Sequence, residues 1–229
     1  MIEENFKKYV LVVGGSGGLG KAICNELRKI DLIPIIGWCN NEDKALEIAE
    51  ESNGIALKID LLNPFDSFTN LNKFKFCKNI VGVIHSGSLE LKLEKFSKIN
   101  EKNLRRRIDM DIFGTWHFMN MAIKKFLKPK KKGFILFVLS NVMGNFEKAS
   151  MPSLAGYVIG KYSLAGISSA MGADNKWLKV LTISPGFIDT PMLDAFDSRF
   201  VNQLRIQNKL SSPKDIANEV IFLIKENLQ

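Results

Sequence analysis

Short runs of apolar residues alternate along the chain with longer segments whose apolar residues recur at helical spacing. The runs are continuous rather than alternating, which is typical of strands buried on both faces of a parallel sheet. They predict strands at residues 9–13, 33–37, 55–59, 80–85, 134–139 and 180–183. The segments between them predict helices at residues 18–30, 42–52, 101–125, 155–173 and 213–226.

This alternation predicts an α/β fold, because parallel neighbours need a crossover that a helix usually supplies. We expect a three-layer sandwich of the Rossmann type, with one parallel sheet of about six strands between two layers of helices. A chain of 229 residues suits one such domain, and no stretch rich in Pro, Gly or Ser suggests a linker. Residues 1–229 are therefore assigned to a single domain.

A glycine-rich segment at residues 14–20 joins the first predicted strand to the first predicted helix. Glycine permits a tight turn and lets the backbone approach a pyrophosphate, whose charge the free N–H groups of a helix start attract. Its place in the first βαβ unit makes the motif far more specific than its spacing. The alternative is a loop that only reverses the chain. We expect dinucleotide contacts from Gly14, Ser16, Gly17, Gly18, Leu19 and Gly20.

The end of the second predicted strand bears on which dinucleotide is bound. In NAD binders an acidic residue there holds the ribose hydroxyls, but this strand runs into Trp38, Cys39 and Asn40 without a carboxylate. No negative charge would repel a 2′-phosphate there, and Asn40, Lys44 and Lys21 can assist one. The pattern therefore favours NADP(H) over NAD(H). Trp38 is either a packed aromatic residue or a neighbour of the adenine.

Tyr157 and Lys161 are four residues apart in a predicted helix and so share one of its faces. An ammonium group near a phenol stabilises the phenolate and lowers its pKa from about 10. That suits a general acid and base near neutral pH. Tyr and Lys at this spacing are common on helix surfaces, so it is the position after the fifth strand of a Rossmann pattern that makes the pair informative.

With the glycine turn, this pair makes the chain resemble the short-chain dehydrogenase/reductase family, from Tyr9 to about Leu223. The resemblance implies catalytic roles for Tyr157 and Lys161, and a carbonyl or alcohol substrate. It also implies a homodimer or homotetramer built on the helices at 101–125 and 155–173. Cofactor contacts are implied for Trp38, Asn40, Asp60, Leu61, His85, Ser86, Gly87, Tyr157, Lys161, Pro185, Gly186, Ile188 and Thr190.

The chain departs from the family pattern at several of these positions. Asn141 falls where the family has its catalytic Ser, and Ser140, one place earlier, would serve only if the strand register shifted. Asp111 replaces an Asn that holds a relay water, and the family's usual last strand is missing. His85 stands in place of another Asn, and is either a neighbour of the nicotinamide ribose or a packed histidine at the strand end.

The net charge of +8 changes this picture little. The densest basic runs, at residues 105–107 and 124–132, are interpreted as solvated helix ends and loops without a nucleic-acid recognition module. The three cysteines are far apart and the two histidines lack suitable carboxylate neighbours, which argues against disulfides and a metal site. The polar N-terminus and the short apolar runs predict no secretory signal, no membrane span and a cytoplasmic location.

Two functions follow from these observations. The first is an NAD(P)-dependent oxidoreductase of the carbonyl reductase or alcohol dehydrogenase type, with Tyr157 as general acid and base and Lys161 as its activator. In that reaction Asn141, with Ser140, would orient the substrate oxygen, because an amide both donates and accepts. Asp111 would position a relay water. The alternative is a dinucleotide-binding sensor or partner subunit with weak or no catalysis, which the changes at Asn141 and Asp111 favour.

Overall fold

The computed structural model describes residues 7–145 and 147–228. Its main sheet has six parallel strands in the order β3-β2-β1-β4-β5-β6. Residues 1–6, whose polar character argued against a secretory signal, lie outside the described residues. The strands are β1 (Lys8–Val13), β2 (Leu32–Trp38), β3 (Ile55–Lys58), β4 (Ile80–His85), β5 (Phe134–Val138) and β6 (Lys179–Ile183). The predicted Rossmann-type sandwich is confirmed.

Helices cover both faces of this sheet, and none of those in the described residues is long and apolar enough to cross a bilayer. A second, two-stranded parallel sheet pairs β7 (Phe187–Ile188) with β8 (Leu210–Ser211). The α-helices are α1 (Gly18–Leu27), α2 (Glu42–Glu51), α3 (Pro64–Lys73), α4 (Glu101–Ile108), α5 (Thr115–Ala122), α6 (Ala155–Asp174), α7 (Ser198–Ile206) and α8 (Pro213–Leu228).

Alternate residues of the central strands face two separate cores. In β1, Leu11 and Val13 pack in the core that includes α3, α5 and α6, whereas Val10 and Val12 pack in the core with α1, α2 and α8. Successive side chains of a strand point to opposite faces, so a strand between two helix layers is apolar throughout. All six strands end at the same edge of the sheet, where open α/β sheets bind their ligands.

The sequence did not predict α3, α7 or the pair β7 and β8. Each of the two helices buries only two residues, Ser67 and Leu71 in α3, and Val201 and Leu204 in α7. A helix that contributes so little to the core leaves a weak hydrophobic period in the sequence.

The predicted helix at 101–125 is present but is wound more widely in its middle. A π-helical segment, Asp109–Gly114, separates α4 from α5, and a second one, Ile123–Leu127, follows α5. A Cβ added to Gly114 would collide with the carbonyl oxygen of Leu61, so the helix runs very close to the loop after β3. Such bulges often occur at functional sites, and this one carries Asp111.

Candidate active site

A cavity of about 810 Å³ runs along the carboxyl edge of the main sheet. Its size lies within the range of small-molecule and cofactor sites. Trp38, His85, Asp111 and Asn141 do not line it. The predicted residues that do are Gly14, Ser16, Gly17, Gly18, Leu19, Gly20, Asn40, Asp60, Leu61, Ser86, Gly87, Ser140, Tyr157, Lys161, Pro185, Gly186, Ile188 and Thr190.

The glycine turn forms one end of this cavity. Gly14 has a φ of +77°, and a Cβ added to it would lie only 2.5 Å from the Cα of Gly87. The backbone N–H of Gly15 donates to the carbonyl of Gly37 (2.8 Å), which fixes the turn against β2. No side chain caps the start of α1 at Gly17. The first N–H groups of the helix are therefore available to an anion such as a phosphate.

The loop after β6 closes over this turn. A Cβ added to Gly18 would lie 2.8 Å from Cγ2 of Thr190, so only glycine allows the two segments to come so close. The same loop is tied to the end of β5, because the N–H of Asn141 donates to the carbonyl of Pro185 (2.9 Å). The glycine turn and the two loops thus enclose a continuous groove.

The polar and charged residues near the ends of β2 and β3 differ in whether they line the cavity and in what they are bonded to. Lys44 lines the cavity with Asn40. Lys21, also considered for a 2′-phosphate, does not, because its ammonium is paired with Glu51 at 2.9 Å. The carboxylate of Asp60 accepts hydrogen bonds from its own loop, including one of 2.9 Å from the N–H of Leu62.

Trp38 lies apart from the cavity. The ammonium of Lys58 lies 5.5 Å from its ring centroid, and the ring packs against the core formed with α1 and α2. This position agrees with the packed aromatic residue rather than with a neighbour of the adenine.

Tyr157, Lys161 and Ser140 meet at the other end of the cavity, and all three are buried. The side chain of Ser140 lies close enough to Tyr157 to lower the pKa of its phenol. The ammonium of Lys161 donates to the carbonyl of Val138 (2.7 Å) and lies 5.5 Å from the centroid of the Tyr157 ring. A phenol, a hydroxyl and an ammonium group therefore lie together at this end of the cavity.

Burial is the largest cause of the pKa shifts of Tyr157 and Lys161 at this end of the cavity. Burial raises the pKa of Tyr157 above its usual value, while the nearby Ser140 side chain and the charge of Arg107 lower it and Asp111 raises it. Burial lowers the pKa of Lys161 to about 8, against the attraction of Asp111, which raises it. Lys161 is therefore poised to titrate close to neutral pH.

Asn141, to which the sequence assigned the position of the catalytic Ser, does not reach Tyr157. Its side chain is exposed, and its amide nitrogen lies against Gly186, 3.2 Å from where a Cβ would be. Ser140 has an extended backbone, with φ −163° and ψ 141°. Since neighbouring residues in extended chain point in opposite directions, only one of the two can face Tyr157. That residue is Ser140.

Asp111 is buried in the π-helical segment and is paired with a residue that the sequence analysis missed. One carboxylate oxygen lies 3.3 Å from Nη1 of Arg107 and packs against Gly160 of α6. Because this carboxylate does not line the cavity, the structure does not place it for holding a relay water there. Arg107 was assigned to a solvated basic run, although its spacing of four residues from Asp111 already put the two on one helix face.

His85 is fully buried and lies outside the cavity. Its Nε2 is 3.0 Å from the hydroxyl of Thr115, and that hydroxyl donates to the carbonyl of Met110 (3.1 Å). Thr115 therefore accepts from Nε2–H, which fixes the neutral tautomer. Burial lowers the pKa of His85 to about 3, so it stays uncharged. The side chain joins β4 to the π-helical segment, as a packed histidine rather than as a neighbour of the cofactor ribose.

Aromatic rings form an apolar wall near Tyr157. The centroids of Phe187 and Phe196 lie 5.9 Å apart, and Phe200 lies 5.2 Å from Phe196. Phe187, Phe196 and Leu154 line the cavity. This end therefore suits the apolar part of a substrate.

Comparisons with known proteins agree with this geometry. The family model described as short chain dehydrogenase matches residues 8–199. The 3-oxoacyl-[acyl-carrier-protein] reductase FabG of Buchnera aphidicola subsp. Baizongia pistaciae is 24% identical over 96% of this chain and 91% of its own. Among solved structures, the 3-ketoacyl-(acyl-carrier-protein) reductase from Brucella melitensis complexed with NADH has a TM-score of 0.83 at 19% identity, covering 94% of this chain and 90% of that one. A variant of ElxO with NADPH bound has a TM-score of 0.81 at 21% identity, covering 95% and 91%.

Proposed function

This chain belongs to the short-chain dehydrogenase family and is an NAD(P)-dependent oxidoreductase acting on an alcohol and its carbonyl compound, and we propose that it is an NADPH-dependent carbonyl reductase. One observation carries the proposal. Tyr157, Lys161 and Ser140 meet at one end of a cavity whose other end is the glycine turn. A dinucleotide laid along that groove brings its reactive end to the phenol.

The residues at the glycine turn fit a dinucleotide. Gly14 and Gly18 let the turn pack directly against Gly87 and Thr190, where a Cβ would collide, and a glycine turn of this kind lets a pyrophosphate approach the backbone. The uncapped start of α1 supplies N–H donors and a positive dipole end for its charge. When bound, the nicotinamide ring supplies or accepts the hydride.

Tyr157 handles the proton in this proposal. In reduction it donates its phenolic proton to the carbonyl oxygen, while the carbon gains the hydride, so that an alcohol is formed; in the reverse reaction it accepts the proton. Ser140 donates a hydrogen bond to the same oxygen. Lys161 stabilises the tyrosinate that remains, because a nearby positive charge favours the anionic form.

The preference for NADPH rests on charge at the cofactor's adenosine end. Cys39 and Asn40, which line the cavity directly after β2, carry no carboxylate, whereas Lys44 and Arg106 also line it. We expect Lys44→Ala and Arg106→Ala each to weaken NADPH binding about tenfold and to leave NADH binding almost unchanged, as for a charge-assisted hydrogen bond to phosphate. Cofactor fluorescence titration measures both affinities.

Arg105→Ala is the matched control for Arg106→Ala. Its side chain is exposed and bound to Glu101 on the outside of α4 (2.8 Å). Tighter binding of NADH than of NADPH by the unmodified protein would refute the preference.

The apolar wall of Phe187 and Phe196 points to a ketone with an apolar chain, and the reductases among the relatives suggest 3-oxoacyl thioesters as the first compounds to test. We expect NADPH oxidation with at least one member of a panel of 3-oxoacyl thioesters and simple ketones. Tight NADPH binding without turnover on any member would instead support a dinucleotide-binding sensor or partner subunit.

We also propose a homo-oligomer that uses the outer face of α5. Trp116 of α5 and Phe113 of the preceding π-helical segment are about half exposed, and Phe65 of α3 adds a third exposed ring beside His117 (5.2 Å). Contiguous apolar surface of this kind marks association sites. Trp116→Glu should lower the molar mass found by light scattering, whereas Phe222→Glu, an exposed ring on α8, should not. An unmodified protein that is monomeric at micromolar concentration would exclude the proposal.

A further inference from the structure

A buried ion pair lies against the catalytic residues and has no part in the reaction described above. The side chains of Arg107 and Asp111 are only 7% and 4% exposed, and their closest atoms are 3.3 Å apart. Nη2 of Arg107 also donates to the carbonyl of Glu90 (3.1 Å). Burying two charges costs free energy that their attraction only partly offsets, so stability alone does not explain the pair.

Arg107 lies nearly as close to the Tyr157 ring as Lys161 does. Cζ of Arg107 lies 5.7 Å from the centroid of the Tyr157 ring. Nζ of Lys161, which is on the same helix as Tyr157, lies 5.5 Å from that centroid. Asp111 acts on both Tyr157 and Lys161. With the hydroxyl of Ser140, these are the charged and hydrogen-bonding groups that act on the phenol from α4, the π-helical segment, α6 and the end of β5.

Two other titratable groups nearby do not alter this balance. His85, on β4, is neutral because burial lowers its pKa to about 3. The carboxylate of Glu90 is exposed and paired with Lys92 at 2.8 Å, so only its backbone carbonyl contacts Arg107. At neutral pH, below the pKa of Lys161, the phenol therefore faces two cations and one anion, a net charge of about +1.

We propose that Arg107 is a positioning residue of the catalytic site: it cancels the charge of Asp111, so that Lys161 remains the uncancelled cation that stabilises the tyrosinate of Tyr157. The inference rests on the proposed role of Tyr157 as the proton donor. Without Arg107, the carboxylate of Asp111 would oppose the tyrosinate and attract the Lys161 ammonium towards itself. Without Asp111, a second cation would act on the phenol.

Ultraviolet titration of the tyrosinate absorbance tests this in the full-length chain without any substrate. Subtracting the titration of Tyr157→Phe isolates Tyr157 from the other two tyrosines. Asp111→Asn should lower the apparent pKa of Tyr157 by about one unit, as expected for one charge removed at this distance. Adding Arg107→Gln to Asp111→Asn should restore the wild-type value to within about half a unit, because removing both charges of the ion pair leaves the net charge beside the phenol as it is in the wild type.

Arg107→Gln alone should raise the pKa of Tyr157 and, because it leaves a buried carboxylate unpaired, should also destabilise the fold. If that variant does not fold, the comparison of Asp111→Asn with the double variant still decides. The asparagine keeps an oxygen that can accept from Arg107, which also donates to the carbonyl of Glu90, and the double variant leaves neither buried charge of the pair. Arg105→Gln, with its exposed side chain, is the control and should leave the titration unchanged.

The proposal is overturned if Asp111→Asn and the double variant titrate at the wild-type pH while circular dichroism shows them folded. This outcome is separate from failure of the proposed function, because the titration needs neither cofactor nor substrate. A protein that reduces none of the compounds tested can still show the predicted shifts.

Discussion

At the catalytic end of the site, the side chain that lies beside Tyr157 determines which group can assist the proton transfer, and that side chain belongs to Ser140. The side chain of Ser140 lines the cavity beside Tyr157, and the amide of Asn141 lies against Gly186. A hydroxyl in this place can donate a hydrogen bond to the same carbonyl oxygen that receives the proton of the phenol. The adjacent amide has no such access.

Replacing Ser140 and Asn141 by alanine, one at a time, tests that assignment. Ser140→Ala should lower kcat/KM by about tenfold to a hundredfold, since it removes one hydrogen bond to the developing charge on oxygen. Asn141→Ala should change it by less than about threefold, the scale of an exposed substitution away from the reacting atoms. Steady-state reduction of the best panel substrate measures both. Larger loss in the Asn141 variant would reverse the assignment.

The residue types at the site were predictable, but their partners were not. Tyr157, Lys161 and most of the glycine turn follow from motif and spacing, because both depend on neighbours close in the sequence. The burial of Arg107 depends on how α4 packs against α6. Because Arg105 and Arg106 precede it, residues 105–107 were interpreted as a solvated helix face. His85 was placed correctly at a strand end, but its bond to Thr115 spans thirty residues of sequence.

At the scale of elements, the turn between β1 and α1 is constrained by the segments on either side of it. Gly14 meets the end of β4 at Gly87, and Gly18 meets the loop after β6 at Thr190. The strands could be predicted because both of their faces are apolar. The π-helical segment Asp109–Gly114 could not, because hydrophobic spacing does not reveal a local change in helical winding.

Gly14→Ala should abolish measurable dinucleotide binding and destabilise the fold by about 1–3 kcal/mol. The substituted Cβ would be forced against Gly87 at a φ that L-residues rarely adopt. Gly166→Ala is the matched control, since a Cβ there has nothing within 4 Å and lies inside α6. It should stabilise the fold by about 0.5–1 kcal/mol.

Denaturant unfolding and cofactor titration compare the two glycine variants. Retained affinity in Gly14→Ala would show that dinucleotide binding does not depend on the close packing of this turn against Gly87.

At the scale of the whole molecule, the topology explains why one cavity contains both the glycine turn and the catalytic residues. The strand order β3-β2-β1-β4-β5-β6 reverses direction at β1 and β4, where the glycine turn opens the groove. β5 and α6 lie further along the same edge and carry Ser140 and Tyr157. The alternation of strand and helix in the sequence predicted this arrangement, whereas the closure of the groove by Thr190 depends on long-range packing.

We propose that cofactor binding and proton transfer occur at opposite ends of one cavity, and Tyr157→Phe separates them. We expect NADPH affinity to stay within about threefold, because phenylalanine keeps the ring and removes only the hydroxyl. Turnover of the best substrate should fall at least about a hundredfold, the loss typical of a missing general acid. Unchanged turnover with intact NADPH binding would contradict the account.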